Sequence, residues 1–130
     1  MIKSKKILII EDDPFLSEMY ATKFTQNGFK IEVAIDGKSG LDKIKEFKPD
    51  LILLDIVLPK MDGFTVLSKI KKDPQLKDVP VVLLTNLGQK SEVEKGLSLG
   101  AEEYIIKAHY TPTAVVNRVK EILEDLEKRK

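Results

Sequence analysis

The stretch Asp50-Leu51-Ile52-Leu53-Leu54-Asp55-Ile56-Val57-Leu58-Pro59-Lys60-Met61-Asp62-Gly63 decides how this chain is read. It opens with a short apolar run and reaches a carboxylate at Asp55. A loop with Pro59 and Gly63 follows, then an amphipathic segment. A run this short, β-branched at Ile52 and bounded by turn residues, reads as a strand buried on both faces. Asp55 then closes the strand at its carboxyl end, where open α/β sheets bind ligands. A charge placed there is costly unless it is paired, hydrogen-bonded or metal-bound. Asp55 is therefore the candidate reactive group.

Working outward, strand-like and helix-like segments alternate. Lys6 to Ile10 reads as a first buried strand, and Pro14 to Gln26 as a helix with Phe15, Met19, Ala21 and Phe24 toward one face. Gly28 fits the position just past a helix end. Lys30 to Ile35 is a second strand, and Asp36-Gly37 a turn. Gly40 to Phe47 is a helix with Leu41, Ile44 and Phe47 at helical spacing, stopped by Pro49. After the strand ending at Asp55, Gly63 to Lys72 is a helix with Phe64, Leu67 and Ile70 on one face; Asp73-Pro74 ends it. Val79 to Leu84 is a fourth strand. Ser91 to Leu99 is a helix of weaker periodicity, interrupted by Gly96. Ala101 to Ile106 is a fifth strand. Thr111-Pro112 starts the last helix, in the cap-then-proline manner. Val115, Val116, Val119, Ile122, Leu123 and Leu126 form its apolar stripe, and the charged tail from Glu127 to Lys130 is expected to fray.

Five strands each followed by a helix imply an α/β fold. The expected fold is a five-stranded parallel sheet with helices on both faces and right-handed crossovers, flavodoxin-like and doubly wound. The common order is 2-1-3-4-5, with the ligand crevice between strands 1 and 3. No linker or repeat interrupts the pattern, so residues 1–130 read as a single domain.

Composition bounds the function. The chain has 130 residues, 42% apolar and 33% charged, which is globular composition. Its 22 basic and 21 acidic residues give a formal net charge of +1, so electrostatics offers no reason for this domain to bind nucleic acid itself. With no cysteine, disulfides, thiolate metal sites and cysteine nucleophiles are excluded, which fits a reducing compartment. Lys3, Lys5 and Lys6 precede Ile7-Leu8-Ile9-Ile10, but Glu11 cuts that run too early for a signal peptide. No stretch approaches the ~18 apolar residues of a membrane span.

The topology sets the ends of strands 1 and 3 side by side. Glu11-Asp12-Asp13 then meets Asp55. Carboxylates so close repel, and must bind protons or a cation. The donors are all oxygen, which points to Mg²⁺. The bland alternative is a solvated acidic turn opening a helix, a good helix start in its own right; it weakens once Asp55 stands beside it. Strand 4 ends in Thr85 and strand 5 in Lys107, each ordinary alone. Together with the acids they form a set suited to phosphoryl transfer. The cation and Lys107 would neutralise the equatorial oxygens, Thr85 would hydrogen-bond one of them, and Asp55 would form an acyl phosphate.

These residues carry a resemblance. The sequence resembles the receiver domain of two-component response regulators, chemotaxis-regulator-like, over nearly its whole length. The similarity rests on Ile7-Leu8-Ile9-Ile10-Glu11-Asp12-Asp13, on Leu54-Asp55 with Leu58-Pro59-Lys60-Met61-Asp62-Gly63, on Leu83-Leu84-Thr85, and on Gly100-Ala101-Glu102-Glu103-Tyr104-Ile105-Ile106-Lys107. The resemblance implies that Asp55 is the phosphoacceptor of a histidine kinase or phosphotransfer protein. It implies a metal site in which Asp12 ligates Mg²⁺ directly, Glu11 through water and Val57 through its backbone carbonyl, beside Asp55, with Asp13 outside. It gives Thr85 and Tyr104 the role of switching pair, Lys107 that of phosphate contact, and the fourth helix, fifth strand and last helix that of readout surface.

It further implies a cytoplasmic phosphoprotein acting on a downstream protein target or output domain, with no direct nucleic-acid or membrane binding. A homodimer formed on phosphorylation stays among the options. Such a chain is an enzyme only in assisting its own phosphorylation and dephosphorylation. Two departures from the family pattern stand out. Ala108 follows Lys107 where the family usually has a cis proline, so the loop either keeps a strained bond or is trans. Asn86 follows Thr85 where a small residue is usual, narrowing access. Val57 and Leu87 are apolar and cannot position water, so slow self-dephosphorylation is expected. His109, the only histidine, reads as a surface loop residue.

Three other classes compete with this reading. An aspartyl-phosphate hydrolase would want a second acid two residues after the nucleophile, where Val57 stands. A flavodoxin-like cofactor binder would want a Ser/Thr/Gly-rich phosphate loop after strand 1. A degenerate receiver would lack part of the set formed by the acids, Asp55, Thr85 and Lys107.

Overall fold

The computed structural model describes residues 4–129. The elements are β1 (Lys6–Ile10), α1 (Pro14–Gln26), β2 (Lys30–Ala34), α2 (Gly37–Phe47), β3 (Leu51–Leu54), α3 (Gly63–Lys72), β4 (Val81–Thr85), α4 (Lys90–Ser98), β5 (Glu103–Ile106) and α5 (Pro112–Lys128), with a 3₁₀ turn at Lys107–His109 before α5. The strands form one parallel sheet, as the alternation predicted, in the expected common order β2-β1-β3-β4-β5.

Alternate residues of the central strands feed two cores. Ile7, Ile9, Leu51, Leu53, Val82 and Leu84 face Tyr20 and Phe24 of α1 and the valine-rich face of α5. Leu8, Ile10, Ile52, Leu54, Val81 and Leu83 face Ile44 of α2 and Val66, Leu67 and Ile70 of α3. All four β3 residues are at most 1% exposed. Each such side chain contributes roughly 1.5–3 kcal/mol of burial free energy. This pins β3 in the middle of the sheet and fixes where Asp55 emerges.

The local signals act at identifiable atoms. Asp13 caps α1 by accepting from the amides of Phe15 (2.9 Å) and Leu16 (3.2 Å). Asp36 caps α2 by accepting from Ser39 N–H at 2.8 Å, which starts that helix at Gly37 and not at Gly40. Asp62 caps α3 through Thr65 N–H, and Thr111 caps α5 through Ala114 N–H.

Several expected boundaries shift. β2 stops at Ala34, leaving Ile35 63% exposed. β4 begins at Val81, after Pro80, which has no amide to donate. β5 begins at Glu103, and α4 runs from Lys90 to Ser98. On α1, Phe15 lies outside the buried face at 84% exposure; that face runs through Ser17, Tyr20 and Phe24. The expected fraying from Glu127 is not seen. α5 continues to Lys128, and Glu127 pairs with Lys5 at 2.9 Å. Lys3 and Lys130 lie outside the described residues.

Candidate functional site

The register builds the site. Ile10 pairs with both Ala34 and Leu54, so the next residues of β1 and β3 emerge together. Glu11 N–H donates to Ala34 O at 2.9 Å, and Asp55 N–H donates to Ile10 O at 3.0 Å. The carboxylates of Glu11, Asp12 and Asp55 each offer an oxygen within 4.8 Å of the others. Glu11 and Asp55 are 4% and 7% exposed. Asp12 is open to solvent. Asp13 is engaged in capping α1 and stays outside the acid set, as expected.

Lys107 is the cation already present. It sits one residue past β5, in the 3₁₀ turn, and no cis peptide occurs among the described residues, so Lys107–Ala108 is trans. Its Nζ donates to Asp55 Oδ2 at 2.8 Å and also to Glu11 Oε1. The side chain is only 8% exposed. Burial alone would lower the ammonium's pKa, but the hydrogen bonds it donates to Asp55 and Glu11 outweigh it and hold the group above its ordinary value. Burial raises the Glu11 carboxyl, against the pull of Lys107. Two nearly buried carboxylates thus share one internal ammonium, which offsets part of their charge.

The loop after β3 is shaped by a glycine. A Cβ on Gly63 would stand 2.2 Å from Asp55 O and 2.6 Å from Ile56 Cα. Gly63 N–H instead donates to Ile56 O at 2.8 Å. This close approach, which the reading of the sequence did not assign, holds the Asp55 peptide against the start of α3. The tell-tale was a glycine directly after a helix-capping aspartate. Val57 N–H donates to Asp55 Oδ1 at 3.2 Å, and its side chain is 60% exposed.

Thr85 ends β4 fully buried, and its Oγ1 accepts from Leu87 N–H at 3.4 Å. Tyr104 on β5 donates its hydroxyl to Leu87 O at 2.6 Å. The Leu87 peptide therefore stands between the two residues expected to switch together, a link that side-chain patterning does not reveal. Burial first, then the charges of Glu92 and Asp55, push the Tyr104 phenol up to about 12. Asn86 and His109 are exposed, and Leu87 is half-buried. A cavity of 480 Å³ lies at the opposite end of the sheet, lined by Pro49, Pro80, Leu123 and Leu126 among others.

A parallel 2-1-3-4-5 sheet with acids, lysine and hydroxyl on its carboxyl rim defines a class of phosphoryl-accepting α/β switch domain. The chain belongs to the response regulator receiver domain family, whose model matches residues 7–120, and it is a receiver domain of the two-component kind. It is 40% identical over 102 residues to the DNA-binding dual master transcriptional regulator RpaA of Synechocystis, covering 78% of this chain and 42% of that one. It is 36% identical over 120 residues to the phosphate regulon transcriptional regulatory protein PhoB of Escherichia coli, covering 92% and 52%. The chain thus spans about half the length of these curated relatives. A CheY-like receiver domain protein from Methanospirillum hungatei superposes with a TM-score of 0.90 at 29% identity, covering 98% of this chain and all of that one. The BeF₃-activated receiver domain of RstA from Klebsiella pneumoniae gives 0.84 at 32% identity, covering 91% and 97%.

Proposed function

We propose that Asp55 is the residue phosphorylated, by a histidine kinase or phosphotransfer protein, and that the acids beside it hold Mg²⁺. The observation that carries this reading is the convergence of Glu11, Asp12 and Asp55 with Lys107 on one rim. The donor set fits a hard divalent ion: three carboxylates, with no sulfur or imidazole among them. Glu11, Asp12, Asp55 and the carbonyl of Val57 would hold it. Bound there, the ion would offset negative charge on the phosphoryl oxygens.

The chain's own residues do the rest. An Asp55 carboxylate oxygen attacks phosphorus of a phosphohistidine. The new O–P bond forms as the P–N bond breaks, and the leaving imidazole keeps the electron pair and is then protonated. Lys107 is free to turn its ammonium from Asp55 Oδ2 to a phosphoryl oxygen. Thr85 can exchange the long bond from Leu87 for one to the phosphoryl group. That change would reach Tyr104 through the Leu87 peptide and alter the surface of α4, β5 and α5. The chemistry is self-directed, so the domain acts as a switch and is no enzyme toward another substrate.

The output passes to a downstream protein or an attached domain, and a homodimer on phosphorylation is one form it can take. A cytoplasmic location fits the kinase chemistry; no helix among the described residues is long and apolar enough to cross a membrane. The test is incubation with acetyl phosphate and Mg²⁺ followed by intact mass. A gain of one phosphoryl group, lost in Asp55→Asn, is expected; an equal gain in Asp55→Asn would reject the assignment.

A further inference from the structure

Gly96 is the only buried residue of α4. Glycine in the middle of a helix loses stability relative to alanine, so local preference argues against it here. The packing explains it. A Cβ at position 96 would lie 2.5 Å from Leu83 Cδ1, 3.1 Å from Tyr104 Cδ2 and 3.3 Å from Tyr104 Cε2. Leu83 and Tyr104 are register partners on β4 and β5, so the two side chains form one notch under the helix. Leu83 is fully buried. Tyr104 is half-buried.

We propose that Gly96 is a positioning residue for Tyr104: the space left by its missing side chain seats the ring and lets the hydroxyl reach Leu87 O. The volume at position 96 then sets whether Tyr104 lies under α4 or outside it, and so which surface α4 and β5 offer a partner. This rests on reading Tyr104 as the switching aromatic. A single methyl added to the notch competes with the ring edge for the same space. The methyl meets Leu83 Cδ1 first, and because Leu83 is packed among buried core side chains, the displacement is shared with the ring and loosens its bond to Leu87.

The test uses the unphosphorylated protein, so it stands or falls separately from the assignment of Asp55. Ionisation of each tyrosine is followed by NMR of ring-labelled tyrosine in wild type and Gly96→Ala. Tyr104 should drop from about 12 by one unit or more, about tenfold or more in ionisation constant. Tyr20, raised by burial, should titrate as in the wild type. An unchanged Tyr104 in folded Gly96→Ala overturns the proposal. A second measurement guards against a folding defect. Gly96→Ala is introduced into Tyr104→Ala, where the ring is gone. Its cost in urea unfolding should fall clearly below its cost in the wild type, or the double variant should fold where Gly96→Ala does not. An equal cost in both backgrounds, or failure of both to fold, would place the whole effect on Leu83 and overturn the proposal.

Discussion

Replacing Lys107 by methionine removes the ammonium that bridges Glu11 and Asp55 and keeps most of the side chain's apolar length. In the native chain all three groups are less than a tenth exposed. Breaking a buried ion pair by deleting one partner costs about 3–5 kcal/mol, because the remaining charge stays desolvated. Here the loss should sit at the low end, about 3 kcal/mol. Glu11 is already raised toward protonation by burial and can shed its charge, and Asp12 opens the rim to water. A divalent ion should reverse most of that loss, since it would satisfy the same oxygens. A ligand at 100 times its Kd stabilises by about 2.7 kcal/mol. A divalent ion bound there would compete with Lys107 for those oxygens, so Lys107→Met should bind Mg²⁺ at least about tenfold more tightly, or ~1.4 kcal/mol. Urea unfolding with and without Mg²⁺, and calorimetric titration of Mg²⁺, read both quantities. A stability loss that Mg²⁺ leaves untouched, together with an unchanged Mg²⁺ affinity, would refute the reasoning.

Three further outcomes are expected. Gly63→Ala forces a methyl onto backbone atoms of Asp55 and Ile56 that cannot rotate away; we expect a loss of about 2–3 kcal/mol in urea unfolding, with slower acyl-phosphate formation by intact mass. The Tyr104 phenol is raised to about 12, so the folded state holds its proton more tightly than the unfolded chain. Its contribution to stability is complete below ~10 and lost as pH rises through 12; Tyr104→Phe should abolish that part of the alkaline fall in Tm. Changing exposed Val57 to Asn and half-buried Leu87 to Gln gives an attacking water two polar neighbours. The acyl-phosphate lifetime should shorten about tenfold or more, equivalent to ~1.4 kcal/mol of barrier; an unchanged lifetime would show that neither position controls access of water.

Much of this architecture was readable because its causes are local or topological. The β3 run announces a buried strand, and the βα alternation leaves few orders for the sheet. The order alone makes Glu11 and Asp55 neighbours, although α1, β2, α2 and β3 separate them along the chain. What was not readable depends on distances between elements. Periodicity placed Phe15 on the buried face of α1, but α1 packs through Ser17, Tyr20 and Phe24, and no count of apolar residues predicts that rotation. Helix α4 looked weak because its contact with the sheet is made by the absence of a side chain, at Gly96. The resemblance assigned Lys107 to the phosphate; that it first serves as counter-ion to two carboxylates needed the coordinates.

That last point bears on how such a site can exist before any ligand arrives. Two carboxylates with a few per cent of their surface exposed cannot both stay charged beside each other without compensation. Burying them costs several kcal/mol per ion unless hydrogen bonds and an opposite charge offset it. Lys107 supplies that charge from the 3₁₀ turn after the edge strand β5, its side chain bonded to both acids. A lysine is suited to this because its ammonium is a compact point charge on a flexible stem. It can leave Asp55 for a new oxygen without moving β5 and keep its bond to Glu11 while the proposed phosphoryl group comes in. An arginine there would form a two-pronged bond with one carboxylate and resist release. Lys107→Arg should therefore retain the stability of the unphosphorylated chain and slow acyl-phosphate formation; rapid formation in that variant would show that release of Asp55 is not what the lysine provides.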